Sequence, residues 1–208
     1  YLAGSTTRHF LGAIVLQRDE AAPGGVTHWR VIDGQQRLTT LQLLLAASAA
    51  AAQEAGADQP GRLFRKLVTN DPDVAEAGET LKLSPTMSDK AAFELVLQEG
   101  GPPPDAPDDA DNTIQEAFAY FSEVVKAWAL GGGTEPDDLR KRYTDLHAVL
   151  GDLLQMVSIN LESEDDAQII FETLNARGTP LLQIELVKNA VLDRARKQGA
   201  DADALHDE

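Results

Sequence analysis

Residues 33 to 37, Asp-Gly-Gln-Gln-Arg, group side chains that are suited to phosphate chemistry. Arg37 carries a planar guanidinium that can hold a phosphate through two parallel hydrogen bonds. Gly34 permits a sharp turn and lets a ligand approach the backbone closely. Gln35 and Gln36 can position a water molecule or read the edge of a base. The pattern therefore predicts a site for a phosphate-bearing ligand.

Asp33 has two alternative roles that its type and position leave open. Its carboxylate can hold a divalent cation or align a nucleophilic water, which are catalytic roles. Alternatively it can cap the helix that follows, since Asp-Gly before a helix is often only a turn and a cap. Thr39 and Thr40 add hydroxyls one turn further on.

The elements around this motif are predicted from hydrophobic spacing. Short apolar runs at 10–17 and 27–33 indicate a β-hairpin. From Gln36 onward leucines recur three and four residues apart and lead into an alanine-rich tract, which predicts a helix that ends before Gly56. A helix that starts directly after a strand presents unpaired amides and the positive end of its dipole, and both attract an anion.

The rest of the chain is predicted to be mostly helical, which gives an α+β fold with a small sheet. A Pro, Gly and Asp-rich stretch at 99–111 is too poor in apolar residues to pack, and it indicates a loop. The other predicted elements are a helix within 61–69, a strand at 80–85, helices over 89–98, 114–130 and 135–150, a strand at 153–162, and two helices beyond it.

Acidic residues outnumber basic ones, 34 against 18, for a formal net charge of −16. Taken alone, this charge argues against nucleic acid, because contact with phosphates normally needs a basic face. The excess is uneven, however. Residues 1–45 hold four arginines and three acidic residues, a net charge of +1, so the remainder carries −17. We therefore expect an anion site in the N-terminal part.

The composition also indicates in which cellular compartment the protein is expected. There are no cysteines, which excludes a disulfide framework and a cysteine nucleophile. No apolar run approaches the roughly 20 residues of a membrane span, and the first residues lack the features of a secretory signal. These observations predict a cytoplasmic protein with no membrane partner.

Four blocks of the sequence resemble one known family. They are FLGAIVL at 10–16, VIDGQQRLTTL at 31–41, IFETLNARGTPL at 170–181 and LVKNAVL at 186–192. Together they resemble the N-terminal domain of GmrSD-type modification-dependent restriction enzymes, a family that includes the phosphorothioate-sensing SspE proteins. The resemblance implies a ParB/sulfiredoxin-like sheet core with a predominantly helical remainder. It also implies a sensor domain that binds and hydrolyses a nucleoside triphosphate, GTP or ATP, and couples this to recognition of modified DNA in anti-phage defence.

The resemblance assigns roles to particular residues. Asp33, Gln35, Gln36 and Arg37 are expected to be catalytic, and Asp33 also to hold Mg2+. Residues expected to bind the nucleotide are Gly34, Thr39, Asn175, Arg177 and Lys188. Gly178 belongs to the same block as Asn175 and Arg177, and Asn189 follows Lys188 in the next block. Without the resemblance, the NARG segment at 175–178 favours a C-terminal stop signal for a helix.

The expected organisation is a nucleotide-site region at 1–98, a flexible loop at 99–112 and a helical region at 113–208 that completes the cleft. In the family, a separate nuclease domain of the HNH type cuts DNA. The four histidines here match no metal-ligand spacing, so this chain is not expected to cut DNA by itself. The alternatives to an NTPase are a non-hydrolytic switch that binds nucleotide or modified DNA, and a helical protein-interaction module. Homo-oligomerisation is left open.

Overall fold

The computed structural model describes residues 7–19, 26–76, 78–85, 87–99 and 113–162. These residues form an α+β fold, as predicted, with one small sheet and a larger helical part. The elements in chain order are β1 (His9–Arg18), β2 (Trp29–Asp33), α1 (Gln35–Glu54), α2 (Asp58–Val68), α3 (Met87–Glu99), α4 (Thr113–Leu130), α5 (Pro136–Ala148), a π-helical turn (Val149–Leu153) and β3 (Leu154–Leu161).

The sheet has the order β2-β1-β3, so the first strand lies in the centre. β1 and β2 are antiparallel, which confirms the predicted hairpin, and β3 lies parallel to β1 on its other side. The antiparallel pairing extends only from Arg18 opposite Trp29 to Val15 opposite Asp33. The first half of β1 therefore has no β2 partner, and this edge, which no described strand pairs with, becomes part of the candidate site. It is called the vacant edge below.

A β-bulge interrupts β1 in the same half. The parallel register passes from Phe10 opposite Gln155 to Ala13 opposite Val157, so β1 contains one residue more than β3 in this interval. Gly12 lies within it and has a φ of 107°. Bulges redirect the chain locally and are frequent next to functional sites.

The helical part is built around α1, which contributes buried residues to two apolar clusters. The alanine-rich tract is almost fully buried, because small side chains let α2 and α4 pack closely against this helix. The first cluster contains Ala49, Ala51, Ala52, Ala57, Phe64, Val125, Ala129, Leu139 and Tyr143. The second contains Leu43, Ala46, Ala47, Val68, Phe93, Val96, Leu97 and Phe118.

The helical spacing on α4 and α5 correctly predicted their buried faces. On α4, Phe118 and Val125 are buried. On α5, Leu139 and Tyr143 are buried. The other residues predicted to face inward are half-buried and pack against the two clusters: Ile114, Phe121, Trp128, Leu146 and Leu150.

The strand predicted at 80–85 is wrong. Leu81 forms only an isolated bridge with Thr69. Two backbone hydrogen bonds of 2.9 Å flank this bridge, from the Lys82 amide to the Val68 carbonyl and from the Asn70 amide to the Thr80 carbonyl. The side chain of Asn70 also donates from Nδ2 to the carbonyls of Glu79 and Leu81, at 2.7 and 3.2 Å. The pairing is thus limited to one bridge and does not extend into a strand.

Some of the predicted elements lie in parts of the chain that the structure does not describe. The predicted loop, beyond Glu99, and the predicted helices after 162 lie outside the described residues. β3 follows that loop in the sequence and pairs with β1, so the described parts on either side of the loop share one sheet. Among the described helices, none combines the length and apolar character needed to cross a bilayer.

Candidate functional site

The junction between β2 and α1 is a single glycine. β2 ends at Asp33 and α1 begins at Gln35, with Gly34 between them at φ 93° and ψ 13°, in the left-handed region. A Cβ atom on Gly34 would lie only 2.6 Å from Cγ2 of Ile14. The turn therefore needs glycine both for its backbone conformation and for its close packing against β1.

The first turn of α1 leaves its amides without acceptors in the helix. The first intrahelical bond runs from the Leu38 amide to the Gly34 carbonyl at 3.1 Å, and no side chain caps the helix. The first turn also contains no acidic residue that would offset the dipole. The N–H groups of Gln35, Gln36 and Arg37 thus form the kind of surface that binds phosphate at helix starts.

Asp33 does not cap this helix, so the cap, the second of its two alternative roles, is wrong. Its side chain is half-buried, and the described residues offer its carboxylate no hydrogen bond or ion pair. No group of three or more metal-ligating side chains occurs in the described part of the chain. A single carboxylate is still a suitable donor for Mg2+, which usually takes one or two carboxylates together with phosphate oxygens and water.

Arg37 has an exposed side chain that lies along the vacant edge of β1. Its Nη1 donates a very short hydrogen bond to the carbonyl of Ala13, just past the point where the pairing with β2 ends. Its Nε and Nη2 have no partner among the described residues, and no described carboxylate lies within ion-pair distance of the guanidinium. One donor is thus used by the fold, while the edge formed by Nε and Nη2 can still hold a phosphate with two hydrogen bonds.

The two glutamines differ in their surroundings. The side chain of Gln35 is bonded to the preceding strand, because its Nε2 donates to the Val31 carbonyl at 3.2 Å. Gln36 is exposed and its side chain has no described partner, while its carbonyl accepts from the Thr40 hydroxyl at 2.7 Å. Gln36 is therefore the freer of the two to orient a water molecule. Thr39 is half-buried, and no described group hydrogen-bonds its hydroxyl.

Three arginines besides Arg37 lie on or next to β1 and β2: Arg8, Arg18 and Arg30. Arg30 is balanced by Asp19, with Nη2 and Oδ1 3.1 Å apart. Arg8 and Arg18 are exposed, and neither forms an ion pair with a described residue. Arg18 and Arg30 lie near the turn end of the hairpin, whereas Arg8 precedes the opposite end of β1, so these arginines are spread along the two strands.

The residues predicted to bind the nucleotide from the opposite side of the cleft lie outside the described residues. They are Asn175, Arg177 and Lys188, with Gly178 and Asn189. The structure thus brings together the predicted residues from Asp33 to Thr39, which adjoin in the sequence.

Two residues at the site were not among the predicted ones, Gly12 and Ala13. The Ala13 carbonyl accepts from Arg37, and a Cβ on Gly12 would lie 3.1 Å from the Nε of the same arginine. Their block, FLGAIVL, is predicted only to form a strand and to carry part of the resemblance, with no role in the site. A bulge and a backbone acceptor leave no signature in residue types, because any residue can supply a carbonyl.

These features define an α+β domain with open backbone amides and a guanidinium at the junction between a strand and a helix. Among known families, the one described as the GmrSD restriction endonuclease, N-terminal domain, matches residues 3–192. The chain belongs to this family, and it therefore has a role in a restriction system, a setting that involves DNA. Among curated proteins, none matches the chain.

Proposed function

We propose that the junction from Asp33 to Arg37 binds and hydrolyses a nucleoside triphosphate, GTP or ATP, in the sensor domain of a modification-dependent restriction system. The observation that carries the proposal is the arrangement of donors at one helix start. Uncapped amides of α1 lie beside a guanidinium that keeps Nε and Nη2 free of described partners. Three backbone N–H groups and two guanidinium donors suit a polyphosphate better than a neutral ligand.

Each residue is assigned one role in the hydrolysis. The amides after Gly34 would hold the phosphate oxygens, and Arg37 would stabilise the charge that develops on the transferred phosphoryl group. Gln36 would orient the attacking water, with Gln35 supporting the turn through its bond to Val31. The water oxygen bonds to the γ-phosphorus as the bond to the bridging oxygen breaks, giving the diphosphate, inorganic phosphate and a proton released to solvent.

The remaining predicted ligands complete the proposed site. Asp33 would bind Mg2+, which supplies charge neutralisation between the phosphates when bound. Thr39 lies one turn along α1 and would add a hydroxyl. Asn175, Arg177 and Lys188 stay predicted ligands of the nucleotide from the opposite wall.

In this proposal the domain senses modified DNA, with phosphorothioate as one candidate modification, and an HNH nuclease domain does the cutting. The cytoplasm is the proposed compartment. Hydrolysis of the nucleotide would then signal that modified DNA is bound, or it would return the domain to its DNA-free state. The support for a DNA partner is the family membership, together with the four arginines that residues 1–45 hold in an otherwise acidic chain.

The test measures phosphate release by the purified protein with Mg2+ and GTP or ATP. Arg37→Ala should lower the rate by at least about tenfold, since it removes a charge-assisted contact of about 1.5–3 kcal/mol. Arg140→Ala is the matched control, because Arg140 is an exposed arginine on α5 paired only with Asp137 at 2.9 Å. Equal phosphate release by the wild-type protein and Arg37→Ala would rule out hydrolysis at this site.

The same preparation separates hydrolysis from a non-hydrolytic switch. A nucleotide that binds without turnover would still stabilise the protein, by about 2.7 kcal/mol at 100 times its Kd. Stabilisation without phosphate release therefore points to the switch. No stabilisation by any nucleotide or DNA would remove both functions.

The interaction-module alternative loses the features that favoured it. The alanine-rich tract of α1 is buried in the two clusters. Trp128 packs against the core and lies under the guanidinium of Arg142, 4.1 Å from the ring centroid. Both features are used by the fold itself.

A further inference from the structure

Two glycines with positive φ enclose the guanidinium of Arg37. A Cβ on Gly12 would lie 3.1 Å from Nε, 3.3 Å from Cζ and 3.6 Å from Nη2 of Arg37. A Cβ on Gly34 would lie 3.3 Å from Nη1 of the same group. We call the space between Gly12 and Gly34 the glycine slot.

Such contacts do not accompany every glycine of this conformation. Gly56 and Gly78 have φ values of 72° and 92°, and a Cβ on either would meet nothing within 4 Å. Positive φ alone therefore does not create the slot. It arises because the β1 bulge and the β2–α1 turn both approach the same side chain.

The slot restricts a side chain that is otherwise free to move. An arginine has roughly 2 kcal/mol of rotamer entropy, which a ligand must overcome when it immobilises the side chain. Here the hydrogen bond from Nη1 to the Ala13 carbonyl anchors the group before any ligand arrives, and the two glycines leave it the space to lie there. A guanidinium fixed in advance binds an anion more tightly than a mobile one.

We propose that Gly12 is a positioning residue for Arg37. The lack of a side chain at the bulge lets the guanidinium lie against β1, which fixes how its remaining donors meet an anionic ligand. The ligand-binding part of this proposal rests on the proposed function, whereas the fit between Gly12 and Arg37 does not.

The first measurement is a double-mutant cycle on unfolding in urea, with Gly12→Ala, Arg37→Ala and both together. Alanine at position 12 should destabilise the wild-type protein more than it destabilises the Arg37→Ala variant, because the crowded side chain is then gone. Gly78→Ala is the matched control: it has a similar φ and an empty surrounding, and its effect should add to that of Arg37→Ala. Additive effects of Gly12→Ala and Arg37→Ala would overturn the proposal.

The second measurement is the Kd for Mg-GTP and Mg-ATP by equilibrium dialysis. Gly12→Ala should weaken binding about tenfold to a hundredfold, the range for one charge-assisted contact. Gly78→Ala should leave the Kd unchanged, and Gly12→Ala should cause no further loss once Arg37 is alanine. An unchanged Kd in Gly12→Ala, or an equal loss in the Arg37→Ala background, would contradict the proposal.

The two measurements separate this inference from the function it builds on. If the wild-type protein binds no nucleotide, the proposed function fails, and the unfolding cycle alone decides whether Gly12 positions Arg37. If Gly12→Ala does not fold, the Nε–H signal of Arg37 in the NMR spectrum of the wild-type protein decides instead. It should be displaced from that of the exposed Arg140, and coincident signals would overturn the proposal.

Discussion

Gly34 links β2 to α1 at a φ of 93°, and it shows how one residue can set the geometry of a site. Its conformation turns the chain from strand into helix without a capping side chain. The amides of the first turn stay open, and Asp33 is left with no described partner. The same glycine packs against Ile14 and faces Arg37. At this scale, the chemistry depends on the absence of a side chain as much as on the groups that are present.

Gly34→Ala tests this dependence. The new Cβ would lie 2.6 Å from Cγ2 of Ile14, so the turn must shift or strain. We expect a loss of about 1–3 kcal/mol in the free energy of unfolding, measured in urea. Gly56→Ala is the control, since its φ is 72° and its surroundings are open, and it should cost less. Equal losses in the two variants would show that the contact with Ile14 is unimportant.

The connection between α4 and α5 also depends on missing side chains, here for the packing of one helix against the next. The three glycines at 131–133 end α4, as the sequence predicted, but two of them also make room for side chains of α5. A Cβ on Gly132 would lie 2.3 Å from Arg142, and one on Gly133 would lie 2.6 Å from Oδ2 of Asp138. Arg142 then covers Trp128 and donates to its carbonyl at 2.5 Å. The glycine tract is thus a docking surface for the next helix.

Arg142→Ala should lower the free energy of unfolding by about 1–2 kcal/mol, because it removes a cation–π contact and a hydrogen bond between the two helices. Its Nε is buried without a hydrogen-bond partner, which limits the net loss. Arg140→Ala, two residues earlier on the same helix, removes only an exposed ion pair with Asp137 and should cost less than about 0.5 kcal/mol. Urea unfolding of both variants gives the comparison, and a larger loss for Arg140→Ala would contradict it.

For the whole molecule, the helical core and the sheet are joined through α1, whose first turn carries the candidate site and whose remainder fills both apolar clusters. The core also contains one ionisable group whose titration should affect global stability. Tyr143 is 1% exposed, and burial, with the nearby charge of Glu54 as a second cause, raises the pKa of its hydroxyl above 10.0.

The raised pKa of Tyr143 predicts how stability changes in alkali. The folded protein holds the phenolic proton more tightly than the unfolded chain, so this contribution is fully present below pH 10.0 and is lost as the pH rises through the pKa of the folded state. Tyr143→Phe should make the loss of stability above pH 10.0 smaller. Tyr120→Phe is the control, because Tyr120 is 63% exposed. Urea unfolding at pH 8 and above pH 10 measures both, and the same alkaline loss in Tyr143→Phe and the wild-type protein would be evidence against it.

Local patterns predicted much of this architecture because they depend on neighbours in the sequence. The hairpin, the extent of α1 and the buried stripe of α4 all follow from hydrophobic spacing and helix propensity. The strand at 80–85 was wrong because its pairing is limited to one bridge, between Leu81 and Thr69, and the side chain of Asn70 binds the carbonyls of Glu79 and Leu81. Spacing shows which face of a segment is apolar, but it does not show which group will satisfy its backbone.

The sequence alone determined that Asp33 to Arg37 would place polar groups suited to a phosphate at the start of a helix, since these residues adjoin and a helix start always has open amides. Only the tertiary structure decided that Asp33 leaves the helix uncapped and that Arg37 lies in a slot between two glycines. The reason is that Gly12 and Gly34 are 22 positions apart in the sequence. Contacts over such a separation are set by strand register, and register emerges only when the whole sheet has formed.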